Sequence, residues 1–147
     1  MTLNIRYACQ NDFDHVFNLL VQLWPEKILS EDLIRQAYST GLQHQSEIFL
    51  IAEFENAVVG FAFISLDNSL YHGGRLAWVE ALVTDKNVRT QGIGTALMDR
   101  VIEEAINNHC KAVEIMIDNQ TNAVKFVKNK GFQLRGNAFE LKLTIPR

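Results

Sequence analysis

The chain of 147 residues is 48% hydrophobic and 21% charged, with a net charge of −3. That size and balance fit one domain, 1–147, with a core of its own, and the weakly acidic charge lacks the clustered basic face of a nucleic-acid binder. The longest apolar tract, residues 48–66, is broken by Glu53, Glu55 and Asn56, so no membrane span is expected. Two distant cysteines, Cys9 and Cys110, suit buried free thiols in a reducing cytoplasm, and without a histidine pair at ligand spacing they make no metal site.

In chain order, residues 2–8 alternate apolar and polar side chains and read as a first strand. Asn11-Asp12 offers an N-cap to a helix with Phe13, Val16, Phe17, Leu19, Leu20 and Leu23 on one stripe, ended by Pro25. Ser30-Glu31-Asp32 opens a second helix over 33–42, with Gly41 near its end. Strands at 46–53 and 57–66 form a hairpin about Phe54-Glu55-Asn56, and 66–74 reads as a polar loop carrying Tyr71 and His72. A strand at 75–84 precedes a long helix reaching about residue 108, with Ile93, Ala96, Leu97, Val101 and Ala105 inward and Met98, Ile102 and Ile106 widening the stripe. A strand at 111–117, a helix at 123–130 closed by Gly131, and strands at 132–134 and 139–145 complete the order β-α-α-β-β-β-α-β-α-β-β. Trp24 and Trp78 read as core or cleft-lining aromatics, and His15, His44 and His109 as solvated.

The junction after strand 75–84 carries the densest signal: Arg89-Thr90-Gln91-Gly92-Ile93-Gly94-Thr95. Two glycines one residue apart let the chain turn tightly at a helix start, where unpaired N–H groups and the helix dipole favour phosphate oxygens. Arg89 adds a guanidinium fork. A dinucleotide fingerprint fails because Leu97 stands in the third glycine's place, and no Gly-Lys-Ser/Thr exists for a Walker loop. The pattern Arg89-x-x-Gly92-x-Gly94 resembles the acetyl-CoA signature of the GNAT-type N-acetyltransferases.

The resemblance covers essentially the whole chain and is strongest over 79–132. It implies an α/β (α+β) GNAT fold, a central mixed, mostly antiparallel sheet of six to seven strands flanked by four helices. It further implies acetyl-CoA as cosubstrate and no metal. Its pyrophosphate would lie on Arg89, Thr90, Gln91, Gly92, Ile93, Gly94 and Thr95, and its pantetheine arm on the main chain of Leu82, Val83 and Thr84. Val79-Glu80-Ala81-Leu82-Val83 is similar to a family pattern whose glutamate serves as base, and an alkylamine needs one because it is an ammonium ion at pH 7. Partial burial would raise the pKa of Glu80 usefully; the alternative is a solvated charge or a pair with Arg75.

Residues 120–132 resemble the family's last-helix segment. The resemblance assigns Asn119, Asn122 and Phe126 to the cosubstrate, puts Gln120 in an asparagine's place, and leaves Val127 where many members carry a tyrosine acid. Tyr71 is the candidate substitute, with His72 beside it. Cys110, next to His109 on a strand, reads as core rather than nucleophile, which favours direct transfer in a ternary complex. The expected function is acetyl transfer to a primary amine of a small molecule by a cytoplasmic enzyme, with a homodimer as a further expectation of the family. Two alternatives stay open: a protein or peptide N-acetyltransferase, and a module that senses acetyl-CoA without turning it over.

Overall fold

The computed structural model describes residues 2–118 and 121–143, the side chains of Thr90, Gln91 and Thr121 excepted. It divides into two compact units, Met1–Ile115 and Met116–Arg147. The first contains β1 (Leu3–Tyr7), α1 (Phe13–Leu23), α2 (Glu31–Leu42), β2 (Glu47–Phe54), β3 (Ala57–Ser69), β4 (Gly74–Thr84), α3 (Ile93–Asn107) and β5 (Cys110–Ile115). The second contains α4 (Thr121–Asn129). The sheet runs β1-β2-β3-β4-β5, antiparallel through β4, with β5 parallel to β4 after the α3 crossover.

Alternation along the strands sorts two faces. On one, Phe49, Ile51, Phe61, Ala81 and Val83 pack with Phe13, Val16, Leu19 and Leu20 of α1 and with Tyr38 of α2. On the other lie the fully buried Ile93, Leu97, Met98 and Val101 of α3. Gly60 belongs to that second face, since a Cβ there would stand 3.1 Å from the Ala52 Cβ and 3.5 Å from Ile93 Cγ2. Each fully buried Leu or Phe contributes roughly 1.5–3 kcal/mol, so these two layers hold α1 and α3 more firmly than helix propensity does.

Local chemistry fits the elements with several departures from expectation. Ser30 caps α2 by accepting the Leu33 N–H at 3.3 Å. Asp12 does not cap α1: its carboxylate accepts from Arg6 and from the Cys9 N–H, each at 2.8 Å, and α1 starts from a short 3₁₀ turn instead. The Arg6 hydrogen bond, against desolvation, lowers the Asp12 pKa to about 2. Gly41 lies inside α2, where a Cβ would stand 2.6 Å from the Phe49 ring, so close packing rather than helix termination requires it. Glu55 and Asn56 both take positive φ, as a two-residue hairpin turn demands.

The expected loop at 66–74 shrinks to residues 70–73. β3 extends to Ser69 and pairs Asp67 with Leu76 and Asn68 with Arg75, because ladder hydrogen bonds satisfy the backbone while exposed polar side chains cost nothing. Ile106 is exposed, and Glu104 is buried in its stead, its carboxylate bonded by the Tyr7 hydroxyl and Arg100 at 2.9 Å. Cys9 is exposed, contrary to expectation, and Cys110 is half-buried; both are free thiols. The five strands seen among the described residues replace the six to seven expected. Residues 132–143 form none: Phe139, Leu141 and Leu143 alternate as a strand would but are exposed, and alternation without a partner ladder makes no sheet. Ile145 lies outside the described residues. No described helix is long and apolar enough to cross a membrane.

Candidate active site

The two edges of β4 differ. Toward β3 it is paired from Gly74 to Thr84. Toward β5 the pairing runs from Arg75↔Cys110 to Val79↔Ile115 and stops. Among the described residues, Ala81, Leu82, Val83 and Thr84 therefore pair with β3 alone, and Glu80 has a register partner on neither side. At roughly 3.3 Å per residue this leaves about 16 Å of main-chain edge open.

The change in pairing coincides with a bulge. Phe63 opposes Ala81 and Ile64 opposes Val79, so Glu80 is an extra residue in β4. Val79 lies with Ile64 on the α3 side, and counting one residue on turns Glu80 to the α1–α2 face, where Ala81 also lies. Glu80 is open to solvent, yet protein crowds its carboxylate. Desolvation, then the charge of Glu47, raises its pKa, and Lys27 opposes the rise. Arg75, the alternative partner, sits at the far end of β4 opposite Cys110; burial pushes that thiol up and Arg75 counters it.

The open edge leads into the glycine corner. The Asp85 N–H donates to the Val59 carbonyl at 2.7 Å, and the Asp85 carboxylate accepts the Asn87 N–H at 3.0 Å. A 3₁₀ segment, Lys86–Gln91, kinks at Val88 and delivers the chain to Gly92, whose φ of 75° is left-handed. Among the described residues other than its chain neighbours, no atom lies within 4 Å of a Cβ built on Gly92, so the backbone angle calls for glycine. The Ala96 N–H bonds the Gly92 carbonyl at 3.1 Å. The N–H groups of Ile93, Gly94 and Thr95 are then the first-turn donors that a helix leaves without an internal acceptor. The Ile93 side chain is buried, so it offers its main chain only. Arg89 is exposed, and its Nε donates to the Thr84 carbonyl at 3.1 Å, which ties the guanidinium to the end of the open edge.

The remaining predicted residues lie apart from this line or outside it. Thr90 and Gln91 belong to the 3₁₀ segment, with side chains outside the described residues, as are Asn119 and Gln120 altogether. On α4, in the second unit, Asn122 is exposed, Phe126 half-buried and Val127 buried; the Phe132 N–H closes that helix on the Val127 carbonyl at 3.0 Å. Tyr71 is exposed in the turn before Gly74, against the His72 ring edge at 4.9 Å. Gly74 is six residues from Glu80 along β4, which is about 20 Å at strand rise. The structure thus joins Glu80, Leu82, Val83, Thr84, Arg89 and Gly92–Thr95 in one run and leaves Tyr71 at the other end.

Sequence reasoning missed Glu47 and Lys27 beside Glu80, and Phe63 opposite the bulge. Glu47 carried no signal because it opens a strand where polar residues are common. Trp24 packs against the core beneath α1 and α2, and Trp78 is half-buried.

The fold and the sequence are similar to those of other proteins. Residues 13–132 match the family described as the acetyltransferase (GNAT) family. The chain is similar to acetyltransferase YE1169 of Yersinia enterocolitica, 28% identical over 127 residues, 83% of this chain and 81% of that protein. It is also similar to uncharacterized protein YdhI of Bacillus subtilis, 35% identical over 75 residues; that match takes in 46% of this chain and only 47% of YdhI. Its fold resembles a transcriptional regulator from Bacillus halodurans C-125, with a TM-score of 0.87 and 20% identity over 97% of this chain and 100% of that one. An aminoglycoside acetyltransferase from an uncultured soil metagenomic sample, in complex with sisomicin, follows at a TM-score of 0.74 and 18% identity over 98% and 97% of the two chains. The chain belongs to the acetyltransferase (GNAT) family, the acetyl-CoA-dependent acyltransferases.

Proposed function

We propose that the protein moves the acetyl group of acetyl-CoA to a primary amine of a small molecule, by direct attack in a ternary complex. The observation that carries this reading is the one-sided edge of β4, which starts at a bulged glutamate and ends at a left-handed glycine corner. The first-turn N–H groups of α3 and the Arg89 guanidinium hold the pyrophosphate. The pantetheine arm adds to the open edge at Leu82, Val83 and Thr84 as an extra strand. The corresponding main-chain donor near Val83 faces the thioester oxygen as charge develops on it.

Glu80 takes the proton of the acceptor ammonium and passes it to solvent. The freed nitrogen attacks the thioester carbon, the C–N bond forms, the C–S bond breaks with the electron pair kept by sulfur, and the nitrogen gives up its second surplus proton through Glu80 to solvent, leaving the neutral amide. A raised pKa suits Glu80 to this, since it must accept a proton and give it up again. A thiol of pKa about 8.5 leaves as thiolate without an acid, so Val127 in a tyrosine's place is tolerable, and Tyr71 takes no part. Tyr38 is no substitute either: its hydroxyl donates to the Cys9 carbonyl at 2.6 Å, and desolvation raises its pKa.

A small-molecule acceptor fits a site whose acidic side chains Glu80 and Glu47 share the α1–α2 face of the sheet, and it is in keeping with a fold neighbour in complex with sisomicin. The family match runs across both units, which supports a single N-acetyltransferase domain, 1–147. The free thiols support a reducing, cytoplasmic setting. The test is release of CoA thiol from acetyl-CoA over a panel of amines. Amine-dependent release, lost in Arg89→Ala at low acetyl-CoA, is expected; CoA binding without release under any amine would favour the sensor reading.

A further inference from the structure

The acceptor side of Glu80 has a second carboxylate. Glu47 stands two residues before Phe49 on β2, hence on the same α1–α2 face, and in register with Ser65 and Trp78. Beyond it opens a cavity of about 360 Å³, lined by Tyr7, Leu42, Gln45, Glu47, Phe49 and Glu104 among others. The two acids in its wall differ. Glu104 is consumed by Tyr7 and Arg100, whereas Glu47 is three-quarters buried and meets His44, Nδ1 to Oε2, at 3.1 Å. Gly41 makes room for it: a Cβ there would lie 3.3 Å from Glu47 Oε1.

Glu80 does not line this cavity but lies on the same face of the sheet as Glu47, and two like charges on one face are stabilised by a ligand that brings two positive charges, where a monoamine brings one. The strands β2 and β4 are two spacings apart, about 10 Å, which glutamate side chains and a short alkyl chain span together. The stacked rings of Phe49 and Phe63, 4.4 Å apart on the same face, supply an apolar wall for that chain. We propose that Glu47 is a specificity-determining residue that holds the second ammonium group of a diamine-type acceptor while the first stands at Glu80. This rests on the reading of Glu80 given above.

The test uses 1,4-diaminobutane against 1-aminobutane, with the wild-type protein and Glu47→Gln, which keeps the side-chain size. Wild type should prefer the diamine in kcat/KM by about 10-fold or more, the worth of one charge-assisted hydrogen bond, and the preference should fall to within two-fold in Glu47→Gln, through KM. Transfer to both amines with the same preference in both proteins would overturn the role of Glu47 and leave the enzyme standing. Calorimetric titration of 1,4-diaminobutane into CoA-saturated protein separates the remaining case. Saturable binding lost in Glu47→Gln, without any transfer, would uphold the Glu47 site and sink the catalytic reading. No binding to wild type, with no transfer, would overturn the Glu47 site.

Discussion

The two ends of β4 show how one strand serves two purposes. At the Gly74 end the strand is laddered on both edges, and its turn is clasped: Ser69 Oγ lies 2.8 Å from His72 Nδ1, and His72 Nε2 lies 3.5 Å from Glu114 on β5. At the Thr84 end one edge is open, a glutamate is bulged out of register, and the chain leaves through a left-handed glycine. The closed end spends its backbone groups on the fold. The open end leaves one edge without a strand partner among the described residues, which is why the proposed chemistry is placed there and not at Tyr71 and His72.

The largest expected effect breaks the open end. Glu80→Gln should lower kcat by about 10²–10³-fold, within the range for loss of a general base, with little change in KM for acetyl-CoA. The same variant should melt no lower than wild type. A carboxyl whose folded-state pKa is raised holds its proton more tightly in the folded state, so it destabilises the fold at pH values above its unfolded pKa. Arg89→Ala comes next: loss of one charge-assisted phosphate contact should weaken CoA binding about 10- to 100-fold by calorimetry.

Two substitutions measure what the scaffold contributes. Asp12→Asn should cost about 2 kcal/mol at pH 7 in urea unfolding, since its pKa falls from 3.8 to about 2 on folding. That contribution is complete above the unfolded pKa, declines as the pH falls, and is gone once the pH has passed below about 2. Gly92→Ala should cost about 1–2 kcal/mol, because φ there is left-handed. The smallest effect belongs to the closed end. Tyr71→Phe and Glu114→Gln should change kcat by less than two-fold, since Tyr71 and the His72 that faces Glu114 lie at the end of β4 away from Glu80.

Much of this was legible beforehand where the signal is local. The hairpin turn at Glu55-Asn56, the Ser30 cap and the glycine corner each depend on one residue's conformational preference, and each formed where expected. The polar loop at 66–74 was misread because composition does not reveal whether a ladder partner is waiting. The strands expected after Gly131 failed for the same reason: Phe139, Leu141 and Leu143 show the period of a strand but pair with none. At the site, Glu80 stood out as a lone carboxylate in an apolar strand. Its bulge, and its coupling to Glu47 from another strand 33 positions earlier, exist only in the register of the sheet.

The central claim is that Glu80, at the start of the open edge, is the base. The most direct test is the pH dependence of amine-dependent CoA release in wild type and Glu80→Gln. Wild-type kcat should rise with pH through a limb lying above the ordinary carboxylate range, and Glu80→Gln should be about 100-fold slower and lack that limb. An unchanged limb and rate in Glu80→Gln would remove Glu80 from the chemistry.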